Sequence, residues 1–206
     1  MNNYSLLMNM ISKNTSKILN LLLREKELYN INQIARNLKL SVGSTHKILK
    51  DLEERSIVNA KVLGNAIYYT LNLDNQEAVK LLELILIEQR NKLVKGNKTA
   101  KIYAQDLEKY NAKCIIIFGS ILIKEEQAKD IDVLFLIKNK KEMQEITKFC
   151  LDLSTIRTKK VNPLIILEED LIKNIKNKNK AIVDIIKNGI ILKGGEIFVK
   201  IIKNAF

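Results

Sequence analysis

The chain has one proline, one histidine, two cysteines and no tryptophan in 206 residues, and aromatic side chains make up 5% of it. Each scarcity closes off a class of function. His46 is the sole imidazole and Cys114 and Cys150 sit in no paired motif, so a zinc site of the His/Cys type has too few ligands. Two isolated cysteines also argue against a disulfide scaffold and for a reducing compartment, so a cytoplasmic location is expected. Apolar runs are short: Leu84-Ile85-Leu86-Ile87 and its neighbours fall far below the length of a membrane span. The opening MNNYSLLMNM has neither a basic start nor a small-residue cleavage site, so no secretory leader is expected there.

Lysine is abundant. It supplies 30 of the 35 basic residues, and the net charge is +12. Asn and Ile are also frequent, so two explanations stand side by side: A/T-rich codon usage, and selection for a polyanionic partner. Residues 1–72 carry 10 basic and 5 acidic side chains, 73–97 carry 4 of each, and 98–206 carry 21 and 14. Both ends are basic and the middle is neutral, a distribution that permits nucleic-acid binding. A hydrophobic content of 47% is enough for one large core or two small ones.

In the first third, Ile18, Leu19, Leu22 and Leu23 follow helical spacing, and Ile31, Ile34, Ala35 and Leu38 repeat it. Ser41 is placed to cap a third helix. Its inner face would hold Val42, Thr45, Ile48, Leu49 and Leu52, leaving Gly43, Ser44, His46, Lys47 and Lys50 on the other. Val58, Ala60 and Val62 then alternate, Gly64-Asn65 reverses the chain, and Ile67 and Tyr69 resume the alternation, which predicts a hairpin. From Ile31 through the closing Tyr69–Asn72 the stretch resembles archaeal and bacterial winged-helix regulators. The resemblance implies double-stranded DNA as partner, with the third helix in the major groove. Ser44, His46, Lys47 and Lys50 would meet bases or phosphates there, and Lys61 on the wing would meet the backbone. Arg36 is either a further phosphate contact or a solvated side chain, and the other role open to such a domain is protein contact alone.

Asp74 and Glu77 resemble a capping box before QEAVKLLELILIEQRNKLV, whose centre is apolar nearly all round. Such a helix is either buried or paired with its copy in a homodimer. Gly96-Asn97 ends it. The expected organisation is α+β: a winged helix-turn-helix over 1–73, a linking or dimerisation helix over 74–97, and an α/β sheet domain over 98–206.

In that last domain, Ile102, Tyr103 and Leu107 predict the inner stripe of a helix, and 112–118 predicts a buried central strand. Gly119 would let a phosphate approach the backbone, and Ser120 adds a hydroxyl. Asp130 and Asp132 are two apart, so both leave one face of a strand and repel unless a cation lies between them, for which Mg²⁺ is suited. Hydrophobic-Gly-Ser, a spacer and Asp-hydrophobic-Asp together resemble the signature of polymerase-β-type nucleotidyltransferases, in particular the minimal branch. The resemblance implies that Gly119 and Ser120 hold ATP or another nucleoside triphosphate, and that Asp130 and Asp132 bind Mg²⁺ as catalytic ligands. NGIILKGGEIF, residues 188–198, is similar to the last strand and helix of these domains.

The pattern departs from the family at two places. The third carboxylate aligns with Asn162 in KKVNPLIIL, and an amide takes no proton at ordinary pH. Glu168, Glu169 and Asp170 belong instead to the first turn of the next helix. The basic-Gly pair expected after Ser120 is replaced by Lys124-Glu125. Two expectations follow: a DNA-binding transcriptional regulator carrying a degenerate nucleotidyltransferase-like domain, and an enzyme moving a nucleoside monophosphate to a protein or RNA acceptor.

Overall fold

Side-chain caps and apolar spacing set the helices of the N-terminal part. The computed structural model describes residues 11–25 and 27–205, so the reading of residues 1–10 lies outside the described residues. Helix α1 (Lys13–Arg24) starts at Ser12, whose hydroxyl accepts from Thr15 N at 3.1 Å, and buries Ile18, Leu19, Leu22 and Leu23. A short strand β1 (Tyr29–Asn30) leads into α2 (Ile31–Leu38), where Asn30 and Gln33 cap one another reciprocally. Helix α3 (Val42–Glu54) begins at Ser41, and strands β2 (Val58–Leu63) and β3 (Ala66–Leu71) form an antiparallel hairpin that turns at Gly64. The small sheet has the order β1-β3-β2. These are the parts of a winged helix, as the spacing predicts.

Two details differ from that prediction. Val42 is exposed, so the inner stripe of α3 is Thr45, Leu49 and Leu52. On the hairpin, Val58 and Tyr69 are buried but Val62 is 70% exposed. Alternation tells which face a residue takes, not whether anything covers that face.

Helix α4 (Gln76–Gly96) is capped by Asn75, whose Oδ1 accepts from Ala78 N at 3.1 Å. The expected Asp74–Glu77 box gives way because Glu77 pairs instead with Arg55. Ala78, Leu82, Ile85 and Leu86 are buried along α4, while Ile87 is 39% exposed. Among the described residues no helix is long and apolar enough to cross a membrane. The chain divides into two compact units, one through Ile85 and one from Leu86.

In the second unit, α5 (Lys98–Leu107) is followed by β4 (Cys114–Phe118), a single helical turn α6 (Ile121–Lys124) and β5 (Asp130–Ile137). Then come α7 (Glu142–Ile156), β6 (Lys160–Leu167), α8 (Glu168–Lys176), α9 (Lys180–Asn188), β7 (Ile190–Lys193) and α10 (Gly195–Ala205). The sheet runs β6-β5-β4-β7; β4 is antiparallel to both neighbours, and β5 and β6 are parallel, joined through α7. Ile131, Val133, Phe135 and Ile137 enter one core with Ile115, Ile117, Tyr103, Leu107 and Cys150, which leaves Asp130 and Asp132 on the opposite face of β5. Ile102 is exposed rather than part of the stripe, whose members are Ala100, Tyr103, Ala104 and Leu107.

The start of β6 is held by a buried tyrosine. The Tyr103 hydroxyl accepts from Lys159 N at 2.7 Å and donates to Lys159 O at 3.1 Å. Tyr103→Phe keeps the packing but leaves that backbone pair without its partner. It is expected to cost about 1–3 kcal/mol in urea unfolding, and a change below a few tenths would show that the hydroxyl does not hold β6.

Candidate functional site

Two groups of side chains stand out, one in each unit. In the first, Ser41 Oγ accepts from Ser44 N at 3.2 Å and Thr45 Oγ1 donates to Ser41 O at 3.0 Å, which fixes the start of α3. Burial of Thr45, Leu49 and Leu52 on one side then turns His46, Lys47 and Lys50 to solvent, with Ser44 half-buried beside them. Beside Gly43 nothing lies within 4 Å of where a side chain would stand, so the start of the helix is sterically open. Lys50 approaches Glu54 at 3.9 Å, both well exposed, a pair too weak to withhold the ammonium from a phosphate. Lys61 is exposed on β2, opposite Tyr68, and Arg36 is exposed on α2. The surface this makes is small, polar and basic at one end of a helix.

The second group lies where β4 ends against β5. Phe118 faces Asp132 in the antiparallel register, so the next residue must turn away from the strand. Gly119 does this with φ +78, and a Cβ there would stand 2.4 Å from Asp132 Oδ2. Only glycine allows that approach. Ser120 follows, half-buried, and its carbonyl accepts from Lys124 N at 2.7 Å to close the single turn of α6. This turn is anchored by Asn97, which is buried, caps α5 through Ala100 N at 2.8 Å and donates to Ile121 O at 3.0 Å. A Gly-Asn pair signals only the break between helices, and the second bond of Asn97, to a residue 24 positions on, has no sequence signal.

Parallel pairing of β5 with β6 brings in the third member. Asp132 is in register with Asn162, and Asp130 with Lys160. Asn162 Nδ2 donates to Asp130 Oδ2 at 3.0 Å and lies 3.4 Å from Asp132 Oδ1. The reverse amide orientation would set an oxygen against two acceptor-only carboxylates, so the amide nitrogen belongs there. The structure thus brings together Gly119, Asp130, Asp132 and Asn162, with Ser120 adjacent. Pro163 follows in β6, an edge strand, as its missing N–H requires. Glu168 opens α8 and accepts an ion pair from Lys113 at 2.8 Å, so it is occupied away from the pair.

Burial raises the pKa of Asp132 above its ordinary 3.8; the Asn162 bond pulls it down and the Asp130 charge pushes it up. A two-magnesium centre needs a further anionic oxygen beside Asp130 and Asp132. A neutral amide stands there with its donor side inward, and among the described residues no three His, Cys, Asp or Glu side chains converge. The donor set does not fit that centre.

Two measurements test this geometry. Gly119→Ala forces Asp132 aside and imposes a left-handed alanine, at an expected cost of about 2–4 kcal/mol in chemical unfolding. For Asp132, a folded pKa above 3.8 means the native state binds the extra proton in the window just above that value. Its stability contribution is therefore present at low pH and is lost as pH rises through the window. In thermal melts across acid pH, Asp132→Asn should gain on the wild type as pH rises from 3.8; a constant gap would show no such shift.

Residues 97–194 match the family described as polymerase beta, nucleotidyltransferase, and residues 11–59 match that of winged helix-turn-helix DNA-binding domains. No curated protein matches the chain. Among solved structures, a cysteine-to-serine mutant of Lactococcus lactis ZitR is 18% identical over 70% of this chain and 74% of its own, with a TM-score of 0.34. The adhesin competence repressor AdcR of Streptococcus pyogenes is 15% identical over 74% and 88%, with a TM-score of 0.35. Scores this low bear on neither fold nor function. The chain joins a winged helix-turn-helix DNA-binding domain to a nucleotidyltransferase domain of the polymerase-β type.

Proposed function

We propose that this protein is a DNA-binding transcriptional regulator whose nucleotidyltransferase-type domain no longer transfers nucleotides. The observation that carries the first half is the outward face of α3, where His46, Lys47 and Lys50 are exposed around a capped, open helix start. A major groove admits such a helix, and lysines reach phosphates or base edges from it. Ser44 is the small polar residue that allows close approach, and Lys61 on the hairpin reaches the backbone. The exposed hairpin tip around Val62 suits a wing that lies against a partner rather than a core.

Transfer chemistry is left out of this reading because Asn162 stands where an acid would take the proton of the attacking hydroxyl. A homodimer is part of the reading, since α4 keeps Ile87 exposed within its apolar centre. A cytoplasmic location accords with a DNA partner and with two cysteines that are both free and buried.

The test uses the full chain and duplex DNA enriched from a random pool. Lys47→Glu with Lys50→Glu is expected to weaken binding about 100-fold or more at moderate salt, with an unchanged circular dichroism spectrum. The slope of affinity against salt should fall by about two ion equivalents. Unchanged affinity in the double variant would refute the assignment of α3 as the DNA-reading helix.

A further inference from the structure

We infer that Asn162 takes the place of a divalent cation, its amide holding Asp130 and Asp132 together and closing the pair to Mg²⁺ and Mn²⁺. The need for something between them follows from β5 itself, which puts both carboxylates on one face at the same end of the strand. Two like charges on adjacent positions of one face repel and must be separated, protonated or bridged. The bridge is the amide: two hydrogens on one nitrogen, one carboxylate at 3.0 Å and the other at 3.4 Å.

The geometry also limits what else could enter. Asp130 Oδ2 and Asp132 Oδ1 face the amide, and Asp132 Oδ2 occupies the space beside Gly119 where a side chain would stand. Two of the four carboxylate oxygens, one from each aspartate, are thereby hydrogen-bonded to the amide. A cation placed between Asp130 Oδ2 and Asp132 Oδ1 would have to break both amide bonds, turn Asn162 over and gain from it only a neutral oxygen. Mg²⁺ sheds its water reluctantly and demands near-ideal octahedral placement of its ligands, so that exchange is unfavourable. The backbone of Asn162 is fixed opposite Asp132, because β6 is in continuous parallel register with β5 from Lys160 to Leu167. Asn162→Asp removes the donor and supplies the missing anionic oxygen in one step, so that variant opens the site.

Manganese titration followed by electron paramagnetic resonance tests this on the full chain. The wild type should bind Mn²⁺ no more tightly than Asp130→Asn with Asp132→Asn, while Asn162→Asp should bind at least about tenfold more tightly than either. Tighter binding by the wild type than by the double variant overturns the inference, and so does failure of folded Asn162→Asp to bind. A second measurement stands even if Asn162→Asp does not fold. Asn162→Ala should lower the melting temperature of the wild type and leave that of the Asp130→Asn, Asp132→Asn protein nearly unchanged, since the amide bridges charges that the second background lacks. An equal drop in both backgrounds would mean that Asn162 merely packs, and would overturn the assignment.

Discussion

Two carboxylates spaced two apart on a β-strand are held on the same face by the pleat, and much of the second unit can be understood as a response to that constraint. β5 cannot separate Asp130 from Asp132 without breaking its ladder with β6. The neighbours must accommodate the pair instead. On one side Gly119 gives up its side chain so that Asp132 can lean over the end of β4. On the other, a parallel crossover through α7 brings β6 into a register that sets an amide opposite Asp132. The Tyr103 hydroxyl, bonded to both backbone groups of Lys159, fixes where β6 begins and so where Asn162 arrives.

The two units show the same division between what is built and what is presented. In the winged helix, the Ser41 cap and three buried residues on α3 leave no freedom in which face looks outward. The lysines on that face are long and exposed; their placement comes from the buried threonine and leucines beneath. In the nucleotidyltransferase-type domain the strand framework likewise sets the positions of Gly119, Asp130 and Asp132, and Asn162 is the side chain that bridges the two carboxylates. On the reading proposed above, fold and activity separate at Asn162.

Much of this was legible in the sequence, and the exceptions have physical reasons. The apolar run in β4, the Gly119 turn and the Asp-x-Asp period identify the hairpin of the second unit, and Asn162 falls where the alignment of strands predicts. The winged helix is likewise visible in its caps and spacing. Periodicity failed where it had to choose between faces with no partner information: Val42 and Ile102 match the inner stripes of their helices yet are exposed, and Val62 sits on a hairpin that extends past its support. The start of α4 differs from the expected one because Asp74, Asn75 and Glu77 all suit a helix start, and the pairing of Glu77 with Arg55 decides among them. The bonds from Tyr103 to Lys159 and from Asn97 to Ile121 span 56 and 24 positions, and no local pattern encodes them.

The sole proline of the chain stands directly after Asn162. An asparagine ages into aspartate chiefly when the amide nitrogen of the next residue attacks its side-chain carbonyl and forms a cyclic imide. Proline has no N–H with which to complete that ring. Pro163 therefore does more than mark an edge strand. It shuts the main route by which a long-lived molecule would acquire, one chain at a time and without any change in its gene, the acid that this site lacks.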